Sequence, residues 1–152
     1  MTKFQEMKLL TYSLFLCIAL FSISCSDNDD NDFLSVAEYV ELNNLSPQRT
    51  ITGLAYIIND PGTAPNPTVN STVVVTYNGY FLVDGEESFD SQEDFLFPVR
   101  NFIQGWQEGL PLIGTGGSIT LLIPSELAYG TRGQGPIPPN TDIGFDIELI
   151  SF

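Results

Sequence analysis

The fold is decided by one stretch of sequence, Phe102-Ile103-Gln104-Gly105-Trp106-Gln107-Glu108-Gly109-Leu110. Its large apolar side chains, at positions 102, 103, 106 and 110, recur at the spacing of an α-helix. Pro98 and Pro111 lie on either side and bound that helix. The segments around it have strand character, so the sequence predicts an α+β fold in which an antiparallel sheet packs on one short helix.

Four segments rich in β-branched and aromatic residues predict the strands. They are residues 51–58, 73–77, 119–123 and 143–152. In the last of them Phe145, Ile147 and Leu149 alternate with Asp146 and Glu148. A period of two predicts that one face of this strand is buried and the other exposed.

A second short helix is predicted near the start of the globular part. Ser35 and Glu38 have the spacing of a capping box, and the helix is expected to end around Asn43 and Asn44. Turns are predicted at residues 59–62 and at 84–85, with a loop over residues 63–70.

Composition excludes several classes of chemistry. The chain has 152 residues, a formal net charge of −14 and no histidine. Catalysis by a histidine base or by a Ser-His-Asp or Cys-His pair is therefore excluded. A chain this acidic repels phosphate backbones, so nucleic acid is not an expected partner. We expect no cofactor and no metal site. The side-chain oxygens of Asp27, Asp29, Asn31 and Glu38 have the spacing of calcium-loop ligands, but calcium binding is not expected, because Asp32 occupies the position that needs glycine.

The first residues predict export. Lys3 and Lys8 precede an apolar run, residues 9–23, that is short for a membrane span and fits a secretory signal peptide. The run ends at Ser24 and Cys25, which resembles the lipobox of bacterial lipoproteins. This predicts a signal peptide over residues 1–24, a lipid anchor at Cys25 and an acidic tether over residues 25–33. An uncleaved anchor or an ordinary signal peptide remains the alternative.

Two other motifs are weaker. Glycine-rich clusters occur at residues 114–117 and 130–135, but neither has the lysine and hydroxyl residue of a phosphate-binding loop, so both are predicted to be turns or loops. A group of carboxylates allows glycoside hydrolysis in principle, although a solvated loop is the more common explanation. The group consists of Glu86, Glu87, Asp90, Glu93 and Asp94.

A series of blocks in fixed order carries a more specific signal. The blocks are residues 73–79, 84–85, 89–91, 103–110, 123–130, 137–140 and 145–149. Together they resemble the FKBP-type peptidyl-prolyl cis-trans isomerases over residues 72–152. We therefore expect an isomerase domain at 72–152, preceded by a helix and strand extension at 34–71.

The resemblance implies an antiparallel β half-barrel wrapped around one short α-helix, with the proline of a substrate held between them. It also implies the members of the pocket. Asp90, Tyr129, Phe89 and Phe145 would be the catalytic residues. Substrate binding would involve Tyr77, Phe97, Phe102, Ile103, Trp106 and Ile137. In this assignment Trp106 is the floor beneath the proline ring, and the Ile103 amide and Tyr129 hydroxyl bind substrate carbonyls.

The function expected from these observations is prolyl isomerisation that assists the folding of exported or cell-envelope proteins. The substrates would be Xaa-Pro-containing polypeptides. The protein would be a monomer in the bacterial cell envelope, lipid-anchored at the outer membrane. The alternative is a binding module of the envelope that holds proline-containing segments without catalysis.

Overall fold

The computed structural model describes residues 33–85 and 87–152. The helices and strands of this part, in chain order, are α1 (Val36–Leu42), β1 (Gln48–Arg49), β2 (Ala55–Asp60), β3 (Thr72–Phe81), β4 (Glu87–Pro98), α2 (Gln104–Gly109), β5 (Ser118–Ile123) and β6 (Ile143–Ser151). The strands form a six-stranded antiparallel sheet in the order β1-β2-β5-β6-β3-β4. The predicted α+β architecture, with the sheet wrapped over the short helix α2, is confirmed.

Helix α2 packs against the centre of the sheet. Trp106 and Leu110 are buried there, together with Leu121 and Ile123 of β5. Strand β6 alternates as its sequence predicts, with Phe145, Ile147 and Leu149 buried and the residues between them exposed. Burial of these apolar side chains on one face is what holds the helix to the sheet.

The acidic segment after residue 85 is a strand and not the predicted loop. Strand β4 pairs with β3 along most of its length and forms one edge of the sheet. Its carboxylates at Glu87, Asp90, Glu93 and Asp94 are exposed, so the expectation of solvated side chains holds while the backbone is paired. An edge strand can satisfy the backbone on one side and keep charges in water on the other, which explains how an acidic sequence forms β4. Glu86 lies outside the described residues.

The predicted strand over residues 51–58 begins too early. Ile51 and Thr52 belong to a turn between β1 and β2, and Ile51 is fully exposed. The Thr50 and Thr52 hydroxyls donate hydrogen bonds to the Glu108 carboxylate of α2, which fixes this turn. The strand β2 then continues through Asn59 and Asp60, two residues into the segment predicted as a turn.

Helix α1 has the predicted capping box, and this prediction is confirmed. The Ser35 hydroxyl accepts a hydrogen bond from the Glu38 amide at 3.3 Å, and the Glu38 carboxylate accepts one from the Ser35 amide at 2.9 Å. Hydrogen bonds from the Ser35 hydroxyl and amide lower the pKa of Glu38. The helix covers the sheet face opposite α2, where Val36 and Tyr39 pack with Leu122 and Leu82.

The predicted signal peptide and Cys25 lie outside the described residues, as does most of the predicted tether. Phe33, the final residue of that tether, packs on Phe81 with ring centroids 4.7 Å apart. Among the helices of residues 33–85 and 87–152, we find none with the length and apolar character to cross a bilayer.

Candidate functional site

The candidate site is a cleft between α2 and the concave face of the sheet, with Trp106 at its base. Trp106 is only 2% exposed. Three rings surround it: Phe102 at a centroid distance of 4.4 Å, Phe145 at 5.1 Å and Tyr77 at 5.2 Å. Tyr77 and Phe145 meet the indole at 85° and 86°, the edge-to-face arrangement that aromatic pairs favour. The base and walls of the cleft are therefore built from mutually supporting rings.

The cleft has a cavity of about 180 Å³. Its lining residues are Tyr77, Asp90, Asn101, Phe102, Ile103, Trp106, Tyr129 and Phe145. An apolar cavity of about 150 Å³ accommodates benzene. This cleft can therefore hold a five-membered ring, and the protein's own side chains do not fill it.

Seven of the ten predicted pocket residues line this cavity, and three lie beside it. Phe89 does not line the cavity but packs against Phe145, with ring centroids 5.6 Å apart. Phe97 stands next to Phe102 at 4.8 Å, and Ile137 is buried at 5% exposure within the same apolar cluster. These three residues support the lining. The roles assigned to all ten remain predictions.

The sequence pattern missed two residues that shape the cleft. Asn101 lines it, and its position immediately before Phe102 was the only available signal. Gly79, on β3, lies under the wall. A Cβ atom on Gly79 would be 2.5 Å from Phe145 Cε1 and 2.8 Å from Phe89 Cε2. Real Cβ atoms do not approach this closely, so the two rings occupy their positions because residue 79 has no side chain.

The polar groups of the site lie at its rim. The Tyr77 hydroxyl donates a hydrogen bond of 2.7 Å to Asp90 Oδ2. Burial, with this hydrogen bond and the Asp90 charge, raises the pKa of Tyr77. Burial, with a smaller contribution from the Asp90 charge, also raises the pKa of Tyr129. Both phenols therefore stay protonated and able to donate hydrogen bonds at neutral pH.

One backbone donor also belongs to the site. Ile103 precedes the first residue of α2, and its carbonyl accepts hydrogen bonds from the amides of Trp106 and Gln107. Within residues 33–85 and 87–152, the Ile103 amide has no acceptor of its own. First-turn amides of a helix have no acceptor within that helix. The Ile103 amide can therefore serve a bound carbonyl.

The Trp106 indole nitrogen is buried and makes no hydrogen bond to any group in the described part of the chain. Most buried indole N–H groups do find an acceptor. Here three aromatic rings pack around the indole, and none of them offers its nitrogen a hydrogen-bond acceptor. Across the described ranges, no group of three or more His, Cys, Asp or Glu side chains is arranged to hold a metal ion.

Comparison with known proteins gives a consistent result. The family model of the FKBP-type peptidyl-prolyl cis-trans isomerases matches residues 64–150. The isomerase FkpA of Escherichia coli K12 is 45% identical over 102 residues, which cover 65% of this chain and 37% of FkpA. The outer membrane protein MIP of Legionella longbeachae is 43% identical over 105 residues, covering 66% and 44% of the two chains. This chain thus spans less than half the length of these curated relatives.

Solved structures agree with the family match. The crystal structure of Escherichia coli FkpA superimposes with a TM-score of 0.70 and 40% identity, over 76% of this chain and 56% of that one. A peptidyl-prolyl cis-trans isomerase from Pseudomonas syringae gives a TM-score of 0.66 and 32% identity, over 76% and 88% of the two chains.

Proposed function

Because this chain belongs to the FKBP-type peptidyl-prolyl cis-trans isomerase family, we propose that it accelerates cis-trans exchange at Xaa-Pro bonds. One observation carries the proposal: the ring-lined cavity of about 180 Å³ over Trp106, open and large enough for a proline ring. The substrates would be polypeptides that contain Xaa-Pro bonds. The proposal involves no cofactor, because the reaction makes and breaks no covalent bond.

The chemistry of the reaction suits such a cleft. Rotation about a peptide C–N bond costs about 18–20 kcal/mol because it breaks amide resonance. Uncatalysed X-Pro exchange therefore takes tens to hundreds of seconds. The planar amide is charge-separated and well hydrated, whereas the twisted amide has lost that resonance. An apolar cleft disfavours the planar state relative to the twisted one, and only such a difference accelerates the reaction.

The polar rim would orient the substrate. We assign the free Ile103 amide and the Tyr129 hydroxyl to binding substrate carbonyls on either side of the cleft. Asp90 holds the Tyr77 hydroxyl at 2.7 Å, which fixes the Tyr77 ring against Trp106. Fixing the peptide on both sides of the prolyl bond adds an orientation effect to the apolar one.

The remaining predicted residues would act through the walls. Phe145 would face the proline ring, since it lines the cavity, and Phe89 packs against Phe145. Phe97 holds Phe102 at the mouth of the cleft, and Ile137 belongs to the buried cluster around it.

The decisive experiment measures exchange of a Xaa-Pro peptide with the purified chain in mild detergent. We expect the wild type to accelerate exchange. Asp90→Asn should lower kcat/KM about threefold to tenfold, because it weakens the Tyr77 hydrogen bond by about 1 kcal/mol. Glu93→Gln is the matched control, since it removes an exposed carboxylate from the same strand outside the cavity. It should leave kcat/KM unchanged.

Peptide binding distinguishes the two functions considered. Titration of Trp106 fluorescence with the same peptide measures binding without reference to turnover. A wild type that binds the peptide but leaves its exchange rate at the buffer value contradicts the isomerase proposal and identifies a non-catalytic binding module.

We also propose that the protein is a lipoprotein of the bacterial cell envelope that assists the folding of exported proteins at the outer membrane. The basis is the lipobox-like sequence ending at Cys25, after a signal-peptide pattern over residues 1–24. The acidic tether at 25–33 would lead to the extension at 34–71 and the isomerase domain at 72–152. The relative from Legionella longbeachae that is named an outer membrane protein is consistent with this location.

Mass spectrometry of the mature N-terminus and detergent phase partitioning test the anchor. The wild type should begin at a diacylated Cys25 and enter the detergent phase, and Cys25→Ala should enter the aqueous phase. If Cys25→Ala still partitions wholly with detergent, the lipid anchor is excluded.

We further propose a monomer, since the edge strand β4 carries Glu93 and Asp94, charges that oppose edge-to-edge pairing. Sedimentation equilibrium measures this.

A further inference from the structure

The segment that begins at Phe33 contacts both faces of the sheet. The Leu34 amide donates a hydrogen bond of 2.6 Å to the Leu82 carbonyl, just beyond the end of β3. Phe33 packs on Phe81 within the apolar cluster that contains the cleft. Leu34 and Val36 instead join the cluster on the opposite face. Neighbouring residues of an extended chain point to opposite faces. Phe81 therefore contacts the segment on the cleft face, and Leu82 contacts it on the opposite face.

On the cleft side, a continuous series of ring contacts leads from this segment to Trp106. Phe33 and Phe81 are 4.7 Å apart, and Phe81 and Phe89 are 5.1 Å apart. Phe89 then contacts Phe145 at 5.6 Å, and Phe145 contacts Trp106 at 5.1 Å. Close-packed rings transmit a displacement because there is little free volume to absorb it. Phe33 thus supports the wall of the cleft through Phe81.

A second contact joins the segment to the loop that carries Tyr129. The Asp142 carboxylate accepts a hydrogen bond of 2.9 Å from the Val36 amide at Oδ2. It accepts another of 2.9 Å from the Ser125 amide at Oδ1. Ser125 begins a single turn of 3₁₀ helix, Ser125–Leu127, and Tyr129 follows two residues after that turn. One carboxylate therefore fixes the start of α1 and the approach to Tyr129 at the same time.

We propose that Phe33 and Asp142 are positioning residues for the cleft, through which the N-terminal segment sets the geometry of the Phe145 wall and of Tyr129. Neither residue lines the cavity. The inference rests on the proposed isomerase function for its kinetic consequence. Its structural consequence does not depend on catalysis, since it concerns the surroundings of Trp106 and Tyr129.

The experiment compares three variants of the purified full chain. Phe33→Ala removes the first ring of the series. Asp142→Asn keeps the shape of the side chain but places an NH₂ group opposite one of the two amides that now donate to it. Glu41→Gly is the matched control, because it weakens α1 by about 1 kcal/mol at an exposed position near its C-terminal end, away from Phe33 and from the Val36 contact with Asp142.

Two readouts are taken well below the unfolding temperature of each variant. The chain contains a single tryptophan, so its fluorescence reports the base of the cleft alone. We expect red-shifted emission and faster acrylamide quenching in Phe33→Ala, and a fall of about threefold to tenfold in kcat/KM for both positioning variants. Phe33→Leu, which restores apolar bulk, should recover most of the loss. The control should match the wild type in both readouts.

The proposal is overturned if Phe33→Ala and Asp142→Asn are less stable yet keep wild-type emission and kcat/KM. That result would make the segment a purely stabilising element. If Asp142→Asn does not fold, the comparison of Phe33→Ala with Phe33→Leu decides the matter alone. If the wild type shows no exchange activity, the proposed function fails, and Trp106 emission and quenching still decide the present inference.

Discussion

The two faces of the sheet are packed in different ways. On the face opposite the cleft, α1 closes over Ala55, Tyr80 and Leu122, and each of these three residues is buried. On the cleft face, α2 brings Trp106 to the sheet, but an open cavity of about 180 Å³ remains above the indole. The same strands supply both faces, because successive residues alternate between them.

This difference separates the energetics of the two faces. Filling a cavity of this size with the protein's own atoms would add stabilising contacts, so leaving it empty costs stability. The cleft face is therefore less stable than a filled one would be. It also contains the Trp106 indole nitrogen, which is buried and has no hydrogen-bond partner among the described residues. On the opposite face, the contact between α1 and the sheet is closed, with Ala55 and Leu122 fully buried beneath the helix. Substitutions on the two faces should therefore separate loss of function from loss of folding.

The largest expected effect is at Trp106. Trp106→Ala should lower the free energy of unfolding by about 3–5 kcal/mol and abolish measurable peptide binding and catalysis. On the opposite face, Leu122→Ala should lower it by about 2–5 kcal/mol. At a temperature where Leu122→Ala is folded, its kcat/KM should equal that of the wild type. Urea unfolding and the peptide exchange assay provide the two measurements.

The contrast breaks down if Leu122→Ala loses activity in proportion to its lost stability. The two faces would then act as one cooperative unit, and the cleft would depend on the whole sheet.

A second pair of substitutions compares the two faces at neighbouring positions of strands β3 and β6. Gly79 pairs with Phe145 there, and Gly144 pairs with Tyr80. A Cβ atom at Gly79 would collide with the Phe145 and Phe89 rings on the cleft face. A Cβ atom at Gly144 would collide with the Tyr80 ring on the opposite face. Gly79→Ala and Gly144→Ala should each cost about 1–3 kcal/mol of stability.

Only the first of this pair should affect catalysis. In the proposed substrate complex, moving the Phe145 ring by a fraction of an ångström would displace the prolyl ring, so Gly79→Ala should lower kcat/KM by roughly tenfold to a hundredfold. Equal kinetic losses in the two variants would show that ring placement on the cleft face is not what limits the reaction.

Prediction from the sequence succeeded where a pattern is local. The capping box of α1 and the alternation of β6 follow directly from residue spacing, and both are present. Strand β4 was not predicted as a strand, because its pairing depends on β3 and not on its own acidic composition. The start of β2 was misplaced because the Glu108 contact that holds the turn around Ile51 comes from a distant helix.

The same distinction applies to the site. The rings at positions 77, 102, 106 and 145 could be assigned from the blocks that resemble the family, and they line the cavity. Gly79 could not be assigned a role from the sequence, because its importance lies in a side chain that is absent and in two rings that approach it from other strands. Asp142 could not be assigned one either, since its partners are 106 and 17 residues away in sequence.

A smaller effect is expected at Tyr77, where a single hydrogen bond connects the cleft wall to Asp90. Tyr77→Phe should lower kcat/KM about threefold to tenfold and stability by about 1 kcal/mol. It also tests the raised pKa of Tyr77, which comes mainly from burial and then from Asp90. In the unfolded chain this phenol ionises near pH 10.0, whereas in the folded protein it keeps its proton to higher pH.

The raised pKa of Tyr77 makes the folded protein less stable as the pH rises above 10.0. Above pH 10.0 the folded state binds more protons than the unfolded state, so the free energy of unfolding falls as pH rises. The stability difference between the wild type and Tyr77→Phe, measured by urea unfolding, should be constant below pH 10 and shrink above it. Tyr129 has the same sign and is present in both proteins, and its charge also raises the pKa of Tyr77, which adds to the same trend. A difference that grows above pH 10 would contradict the raised pKa of Tyr77.

The smallest effect is expected at Glu38, on the face of the sheet that α1 covers. Hydrogen bonds from Ser35 lower the pKa of the exposed Glu38 carboxylate below 4.5. Its contribution to stability is therefore complete above pH 4.5 and is lost as pH falls through the lower, folded-state pKa. Glu38→Ala should lower the urea midpoint slightly at pH 7, and the two midpoints should draw together as the pH falls below 4.5. Exchange kinetics at pH 7 should change less than twofold, because the Phe33 contact with Phe81 and the Val36 contact with Asp142 both remain. If Glu38→Ala slowed exchange as much as Asp142→Asn, the capping box would belong to the route through Val36 and Asp142, and the two faces would not be separable at the start of α1.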